Sequence, residues 1–188
     1  MLYPASSITN KLSVSKSDAY FSGSSGLMTG DWCSFGVDNL ASDQRIGDAH
    51  SLCWNSEVLQ EDCQILGVPR LHVTFQTQSQ NGQLTARICD IFPDGQSTLV
   101  TYGCLNLTHH KGHHEDEVEA LQPGKQYSAD IILKAIGYVV PKGHRLCLAV
   151  SSGYWPMVWP SPDASPVTIL TGQQGSDFYT KLSLPLYK

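Results

Sequence analysis

Residues 71–76 read Leu71-His72-Val73-Thr74-Phe75-Gln76, with an apolar side chain at every second position. Successive side chains of a strand point to opposite faces of its sheet, so this alternation predicts a strand with one buried face. Residues 146–150 and 182–186 alternate in the same way. The sequence therefore predicts a fold that is built on half-buried strands.

Further strand candidates follow at short intervals, with turn signals between them. They are 85–91, 98–107, 127–134, 137–140 and 166–171. The turn signals, in which proline fixes φ or glycine tolerates positive φ, are Asn81-Gly82, Pro93-Asp94-Gly95, Pro123-Gly124 and Pro141-Lys142-Gly143. The best helical candidate, 115–121, is short and acidic. This spacing predicts an all-β fold, either a β-sandwich or a barrel, with the jelly roll among the options.

The N-terminal region differs from the rest of the chain in composition. Serine and glycine dominate the stretches Ser13-Val14-Ser15-Lys16-Ser17 and Ser22-Gly23-Ser24-Ser25-Gly26. Such residues bury little surface and favour loop conformations. We therefore expect an irregular N-terminal arm.

The length and the charge limit the classes of function. A chain of 188 residues suits one domain or one domain with an extension, and 41% hydrophobic residues are enough for a core. The net charge of −5 argues against a nucleic-acid partner, which would need a basic face. No apolar run is long enough to cross a membrane, and the N-terminus has no secretory signal pattern. We therefore expect a cytoplasmic protein that does not bind membranes.

The six cysteines show no metal-binding or redox spacing, because none forms Cys-x-x-Cys. Three of them, Cys89, Cys104 and Cys147, lie in apolar strand-like runs. This placement favours small buried hydrophobic residues in a reducing compartment. A disulfide framework stays open as the alternative, since the number of cysteines is even.

The catalytic motifs that we searched for are missing from the sequence. Gly-x-Ser-x-Gly, which exposes a nucleophilic serine, does not occur, and Gly23-Ser24-Ser25-Gly26 is one residue too short. We therefore predict no catalytic residue, no cofactor and no resident metal. The strongest metal candidate is His109-His110-Lys111-Gly112-His113-His114-Glu115-Asp116-Glu117. It could bind zinc or nickel, but a solvated loop is the preferred interpretation because nothing fixes the imidazoles.

A second group of candidates is aromatic. The stretch Ser151-Ser152-Gly153-Tyr154-Trp155-Pro156-Met157-Val158-Trp159-Pro160-Ser161-Pro162 combines three large aromatic residues with prolines that restrict the loop. Such a loop suits a contact surface or the wall of an apolar pocket. It could equally fold its rings into its own core, and one ring could point inward while another points outward.

A third group is polar. Asp43-Gln44-Arg45, followed by Asp48, predicts structural anchoring of a loop or an interface by hydrogen bonds between carboxylate and guanidinium. Asp90 lies within a strand-like run and is expected to be a hydrogen-bonded polar group near a strand end. His144-Arg145 follows a turn signal and is expected to form a hydrogen-bonding corner.

Several of these stretches, in this order, resemble the C-terminal domain of the cocaine esterase and X-prolyl dipeptidyl-peptidase hydrolases. The resemblance includes Asp90-Ile91-Phe92-Pro93-Asp94-Gly95 and Leu121-Gln122-Pro123-Gly124-Lys125-Gln126-Tyr127, which is similar to a Leu-x-Pro-Gly-x-x-Tyr stretch of the family. The other matching stretches are 43–45, 51–59, 66–69, 105–109, 141–151 and 154–162. Together they cover roughly residues 40 to 187.

The resemblance implies a jelly-roll β-sandwich of the galactose-binding-like type over residues 41–188. Residues 1–40 would then be a connector from an upstream α/β-hydrolase domain, which carries the Ser-Asp-His triad. The chain would be a non-catalytic accessory domain of an esterase or an X-Pro dipeptidyl-peptidase, packing on the catalytic domain and helping to form its substrate cleft. The candidate cleft or interface residues are Tyr154, Trp155, Trp159, Asp43, Arg45 and His144. An isolated copy could form a homodimer through the face that normally meets the hydrolase.

Two other hypotheses stay open. The first is a stand-alone carbohydrate-binding module, since sugar rings stack on aromatic side chains such as Trp155 and Trp159; this interpretation depends on fold analogy. The second is a metal protein that uses the histidine loop at 109–114.

Overall fold

In the computed structural model the regular secondary structure of the described residues is almost entirely antiparallel strand. The structure describes residues 6–7, 15–19, 25–31, 39–163, 165–172 and 179–187. The strands are β1 (Ser6–Ser7), β2 (Ser15–Ala19), β3 (Leu52–Asn55), β4 (Cys63–Gly67), β5 (Arg70–Thr77), β6 (Gln83–Ile91), β7 (Ser97–Asn106), β8 (Gln126–Ile132), β9 (Ile136–Val140), β10 (Arg145–Ser151), β11 (Val167–Thr171) and β12 (Lys181–Leu184). One short helix, α1, spans Arg45–Ala49, and single 3-10 turns occupy Leu107–His109 and Glu115–Glu117. Among these residues, no helix is long and apolar enough to cross a membrane.

The alternating sequence pattern explains the strands that form the centre of the fold. In β8, buried Tyr127, Ala129 and Ile131 alternate with exposed neighbours. Each of the eight stretches predicted as strands overlaps a strand of the structure, namely one of β5 to β12, so these predictions are confirmed. Glycine at the predicted turns supplies positive φ at Gly95, Gly124 and Gly143.

The strands form two main sheets. In the first sheet, β8 pairs with one edge of β5, while β11 and β12 pair in succession with its other edge. β2 extends this sheet beyond β11, and β1 extends it beyond β12. The second sheet has the order β3-β10-β6-β7, and β4 and β9 form a separate pair.

The core lies between the two main sheets. Leu71, Val73 and Phe75 of β5 share one buried cluster with Ile88 of β6 and Val150 of β10. This arrangement confirms the predicted all-β sandwich. The jelly-roll and galactose-binding-like details stay predictions.

Five strands and helices were not predicted, namely β1, β2, β3, β4 and α1. Ser15–Ala19 falls within the predicted irregular arm, yet it pairs with β11 along its whole length. Its serine-rich sequence has no apolar alternation, so the neighbouring strand and not the local pattern determines this conformation. The division of the chain near residue 40 stays a prediction.

Candidate functional site

Residues 25–31 and 39–51, which we call the covering segment, cover part of the outer face of the second sheet. Leu84, Ala86 and Ile88 of β6 point into the core, so Thr85, Arg87 and their neighbours on that face point away from it. At one end of the sheet, the Ser25 hydroxyl donates to the Gly153 carbonyl at 2.8 Å. At the other end, the backbone N–H of Gln44 donates to the Ser97 carbonyl at 2.8 Å.

Arg87 holds the covering segment to the sheet. Its side chain is fully buried, and its guanidinium donates to Gln44 Oε1 and Ser51 Oγ at 3.0 Å each. Nη2 also lies 3.0 Å from Asp48 Oδ1, while Ser97 Oγ donates to Asp48 Oδ2 at 2.6 Å. Residues 43–48 are therefore anchored to the sheet, as the sequence predicts, but the guanidinium that holds Gln44 and Asp48 is that of Arg87 and not that of Arg45.

Asp43 and Arg45 form a separate pair at the protein surface. Arg45 Nη2 lies 2.6 Å from Asp43 Oδ2, and Nε donates to the same oxygen at 2.8 Å. This hydrogen bond from Arg45 lowers the pKa of Asp43. Asp43 also accepts from the backbone amide of Arg45, so the pair orders the start of α1. The Arg45 side chain is largely exposed and therefore presents a cation to solvent.

His144 belongs to a buried polar network near the same end of the sheet. Asp90 is 1% exposed, and it accepts from the His144 ring at 2.8 Å and from the Tyr138 hydroxyl at 3.0 Å. The His144 ring also packs on Phe92, with 4.5 Å between centroids. Burial, followed by the hydrogen bond to Asp90, raises the pKa of Tyr138 to about 12. The predicted roles of Asp90 and His144 as hydrogen-bonded corner residues are confirmed.

The aromatic loop comprises residues 152–160, directly after β10. Tyr154 is fully buried and packs on Tyr102, with 5.1 Å between ring centroids. Trp155 is half-buried, whereas Trp159 is 71% exposed. The two indoles meet edge to face at 4.7 Å. Of the arrangements that the sequence left open for this loop, the structure shows the mixed one: Tyr154 is buried and supports the loop, and Trp159 faces solvent.

Backbone contacts fix the aromatic loop in place. The Val158 amide donates to the Tyr154 carbonyl at 2.8 Å, and Gln83 Nε2 donates to the Trp159 carbonyl at 2.7 Å. Gly26 of the covering segment passes so close that a Cβ there would lie 2.2 Å from the Trp155 carbonyl oxygen. The loop therefore presents Trp159 from a fixed backbone.

An open groove of about 660 Å³ adjoins the aromatic loop. It is lined by Tyr102, Gly103, Cys104, Ile132, Leu133, Lys134, Met157 and Val158. Lys134 Nζ lies 4.1 Å from the centroid of the Tyr102 ring, so a cation borders the mainly apolar lining. The groove and Trp159 together make a surface that could take an apolar side chain of a partner or a substrate.

The six candidate residues divide into two groups at opposite ends of the second sheet. Trp159 is tied to Gln83 at one end of β6, whereas His144 is tied to Asp90 near its other end. Because a strand rises roughly 3.3 Å per residue, these ends are about 23 Å apart. Asp43 lies with the second group, through Ser97. The structure thus brings together Tyr154, Trp155 and Trp159 at one end of the sheet. Near the other end it forms two separate contacts, the Asp43–Arg45 pair and the hydrogen bond between His144 and Asp90.

The histidine loop is held by local contacts. His109 Nδ1 and His113 Nδ1 are 3.1 Å apart, His110 Nδ1 lies 3.1 Å from the Leu107 carbonyl, and Lys111 pairs with Glu119 at 2.8 Å. Within the described residues, no group of three or more His, Cys, Asp or Glu side chains is arranged to hold a metal ion.

Arg87 was not predicted from the sequence, and neither were Ile132 and Lys134 of the groove. Arg87 could have been found, because it is a lone cation in the apolar run Leu84-Thr85-Ala86-Arg87-Ile88 of a charge-poor chain. A charge in such a run requires a buried partner. Ile132 and Lys134 reach the groove only through the pairing of the segment after β8 with β7, which the sequence does not reveal.

The cysteines are free thiols at every described position, and Cys33 lies outside the described residues. Burial is confirmed for Cys89 and Cys147. It is wrong for Cys104, which is exposed because β7 is the edge strand of its sheet.

Comparisons with known proteins agree with one another. A family model described as "X-Pro dipeptidyl-peptidase C-terminal non-catalytic domain" matches residues 6–180. The cocaine esterase of Rhodococcus sp. (strain MB1 Bresler) is 27% identical over 121 residues, which cover 63% of this chain and 21% of that protein. A putative Xaa-Pro dipeptidyl-peptidase of Bacillus cereus is 26% identical over 118 residues, covering 62% of this chain and 20% of its own length.

Solved structures show the same fold. An aminopeptidase from a marine sediment Thaumarchaeota archaeon superposes with a TM-score of 0.76 at 16% identity, covering 98% of this chain and 34% of that one. The chain thus spans about a fifth of the length of the curated relatives and a third of this structural neighbour.

Proposed function

The chain belongs to the X-Pro dipeptidyl-peptidase C-terminal non-catalytic domain family, and from this premise we propose that it is the accessory domain of a serine acyl hydrolase. The reaction would take place in an upstream α/β-hydrolase domain, through an acyl-enzyme intermediate. The relatives' names include both an esterase and dipeptidyl-peptidases, so the proposed substrates are esters or X-Pro peptides. The observation that carries the proposal is the family match over most of the chain.

The proposed contact with the catalytic domain is the aromatic loop and its groove. Trp159 is 71% exposed on a loop whose backbone is hydrogen-bonded to Gln83 and packs on Gly26. Large apolar rings on fixed backbones are typical of the centre of an interface. Trp155 and Trp159 would pack on the hydrolase and form part of its cleft, and Tyr154 would support them from below.

The opposite end of the sheet offers a second, polar contact. The exposed Arg45, ordered by Asp43, could pair with a carboxylate of the catalytic domain at the rim of the interface. His144 is mostly buried against Asp90, so its contribution is to fix this end of the sheet.

Two further proposals concern the location of the protein in the cell and its oligomeric state. We place the protein in the cytoplasm, a proposal supported by the free cysteines among the described residues. Without the catalytic domain, the open apolar groove could pair two copies of the chain.

The test compares this chain alone with the longer polypeptide in which a hydrolase domain precedes it. Substrates are an X-Pro p-nitroanilide and a p-nitrophenyl ester. We expect hydrolysis only by the longer polypeptide, and we expect a serine-directed inhibitor to abolish it. Saturable turnover by the isolated chain that the same inhibitor stops would overturn the proposal.

A stand-alone carbohydrate-binding module is the second candidate, and the exposed ring of Trp159 favours it. One face of a flat indole can stack on a sugar ring, as aromatic platforms do. A glycan array probed with the chain and with Trp159→Ala separates the two proposals. Sugar binding that requires Trp159 would support the module, whereas an array without binding would exclude it.

A further inference from the structure

Three thiols lie next to one another on the outer face of the second sheet. Cys89 of β6 is directly opposite Cys147 of β10 in the strand register. On the other side of β10, Cys53 of β3 is opposite Ala149, which makes Cys53 the diagonal neighbour of Cys147. The three cysteines therefore span three adjacent strands.

These thiols differ in access to solvent. Cys53 is exposed, on the four-residue edge strand β3, whereas Cys89 and Cys147 are buried. An oxidant from solvent therefore meets Cys53 first. Cys147, its diagonal neighbour on β10, is the next thiol on the same face of the sheet.

The contacts around Cys53 act on its pKa in both directions. A hydrogen bond from the Cys147 thiol is the largest influence and lowers the pKa of Cys53, whereas partial desolvation and the charge of Asp48 raise it. The Cys53 thiol also donates to the Asp48 carbonyl at 3.3 Å, a contact that the thiolate would give up. The same hydrogen bond, together with burial, raises the pKa of Cys147. Cys53 is thus the nucleophile of the pair and Cys147 is the protonated partner, which is the pattern of an oxidation-sensitive cysteine beside a resolving cysteine.

We propose that Cys53 and Cys147 form an oxidation site that a peroxide converts into a reversible disulfide between β3 and β10. The Cys53 thiolate attacks one peroxide oxygen and the O–O bond breaks, which leaves Cys53 as the sulfenic acid. The hydroxide that departs takes up the proton that the Cys53 thiol released, and becomes water. The Cys147 sulfur then attacks the Cys53 sulfur, the S–O bond breaks, and the leaving hydroxyl takes the Cys147 proton and departs as the second water. Two thiols are oxidised to one disulfide, and the peroxide is reduced to two waters.

The geometry requires a small movement of β3. Diagonal neighbours on a sheet have Cα atoms roughly 7–8 Å apart, whereas a disulfide spans roughly 4.4–6.8 Å, so the bond forms only if β3 moves toward Cys147. Among the described strands, β3 pairs with β10 alone, so a shift toward Cys147 breaks no second ladder, although it displaces the Cys53 thiol from the Asp48 carbonyl. Cys89 lies directly opposite Cys147 and is therefore nearer to it than Cys53 is. However, Cys89 is buried in the central strand β6, and this burial raises its pKa to about 12.

The experiment treats the purified chain with hydrogen peroxide at low protein concentration, then counts free thiols after denaturation and maps peptides without reduction. We expect the loss of two thiols per chain, a peptide linking Cys53 to Cys147, and full recovery with dithiothreitol. The Cys53→Ser variant, which changes an exposed position, should keep all of its remaining thiols free after the same peroxide treatment. Cys104→Ser removes an exposed thiol on β7, opposite Thr85, and should leave the linked peptide unchanged.

Other outcomes contradict the proposal. They are a linked peptide in which Cys89 replaces Cys53, oxidation of Cys53 to the sulfinic acid without a link, and a link between two chains. Buried Cys147→Ala could lower the stability of the fold, so the Cys53→Ser result and the peptide map decide the question. This inference is independent of the proposed hydrolase function.

Discussion

The covering segment makes different contacts at the two ends of the four-stranded sheet. At the polar end, the segment inserts Gln44 and Asp48 against Arg87, and the polar atoms of this cluster are largely paired within the chain. At the aromatic end, the segment supports a loop whose Trp159 ring stays exposed beside an open groove. The comparison separates residues that hold the domain together from residues that remain available to a partner.

The largest effect is expected from Arg87→Ala. The substitution leaves the carboxylate of Asp48 and the amide of Gln44 without their buried partner. Removing one member of a buried ion pair costs about 3–5 kcal/mol in the free energy of unfolding, measurable by urea denaturation. Arg45→Ala is the matched control, because its pair with Asp43 is exposed, and it should be indistinguishable from wild type. Equal losses in both variants would remove the distinction between buried anchor and surface pair.

Gly26→Ala should have the next largest effect. Its Cβ would lie 2.2 Å from the Trp155 carbonyl oxygen, so the covering segment and the aromatic loop must separate. Such overpacking costs about 1–3 kcal/mol, and the tryptophan fluorescence should shift as Trp155 changes its surroundings. Gly137→Ala meets only Leu66 at 3.5 Å and serves as the control. A stable Gly26→Ala variant with unchanged fluorescence would show that the two segments are not in contact.

A smaller effect is expected at alkaline pH from Tyr138. The fold raises the pKa of Tyr138 from 10.0 to about 12, so it favours the neutral phenol. The resulting stabilisation is complete below pH 10 and is lost as the pH rises through 12. Wild type should therefore lose more stability than Tyr138→Phe between these values, as followed by urea denaturation at each pH. Parallel curves for the two proteins would contradict the predicted shift.

The smallest effect on the isolated chain is expected from Trp159→Ala. Because the ring is 71% exposed, its loss should change the free energy of unfolding by less than about 0.5 kcal/mol. Tyr154→Ala, in the same loop but fully buried, should unfold at a clearly lower urea concentration. A large loss of stability in Trp159→Ala would mean that this ring belongs to the core of the domain.

The sequence predicts the centre of this fold better than its margins. Strands such as β5 and β8 bury one face in the core, so their apolar side chains alternate visibly. β2 lacks that alternation and is a strand only because β11 lies beside it. The same distinction applies to the site: the aromatic loop is visible in composition, whereas the burial of Arg87 under the covering segment depends on contacts between distant residues.

The most direct test of the account is the accessibility of Trp159 with and without the proposed catalytic domain. Hydroxyl-radical footprinting with peptide mapping measures oxidation of Trp159 in the isolated chain and in the longer polypeptide. The account predicts rapid oxidation in the isolated chain and strong protection in the longer polypeptide, with Tyr154 protected in both. Equal oxidation of Trp159 in the two samples would show that this end of the sheet is not the contact surface.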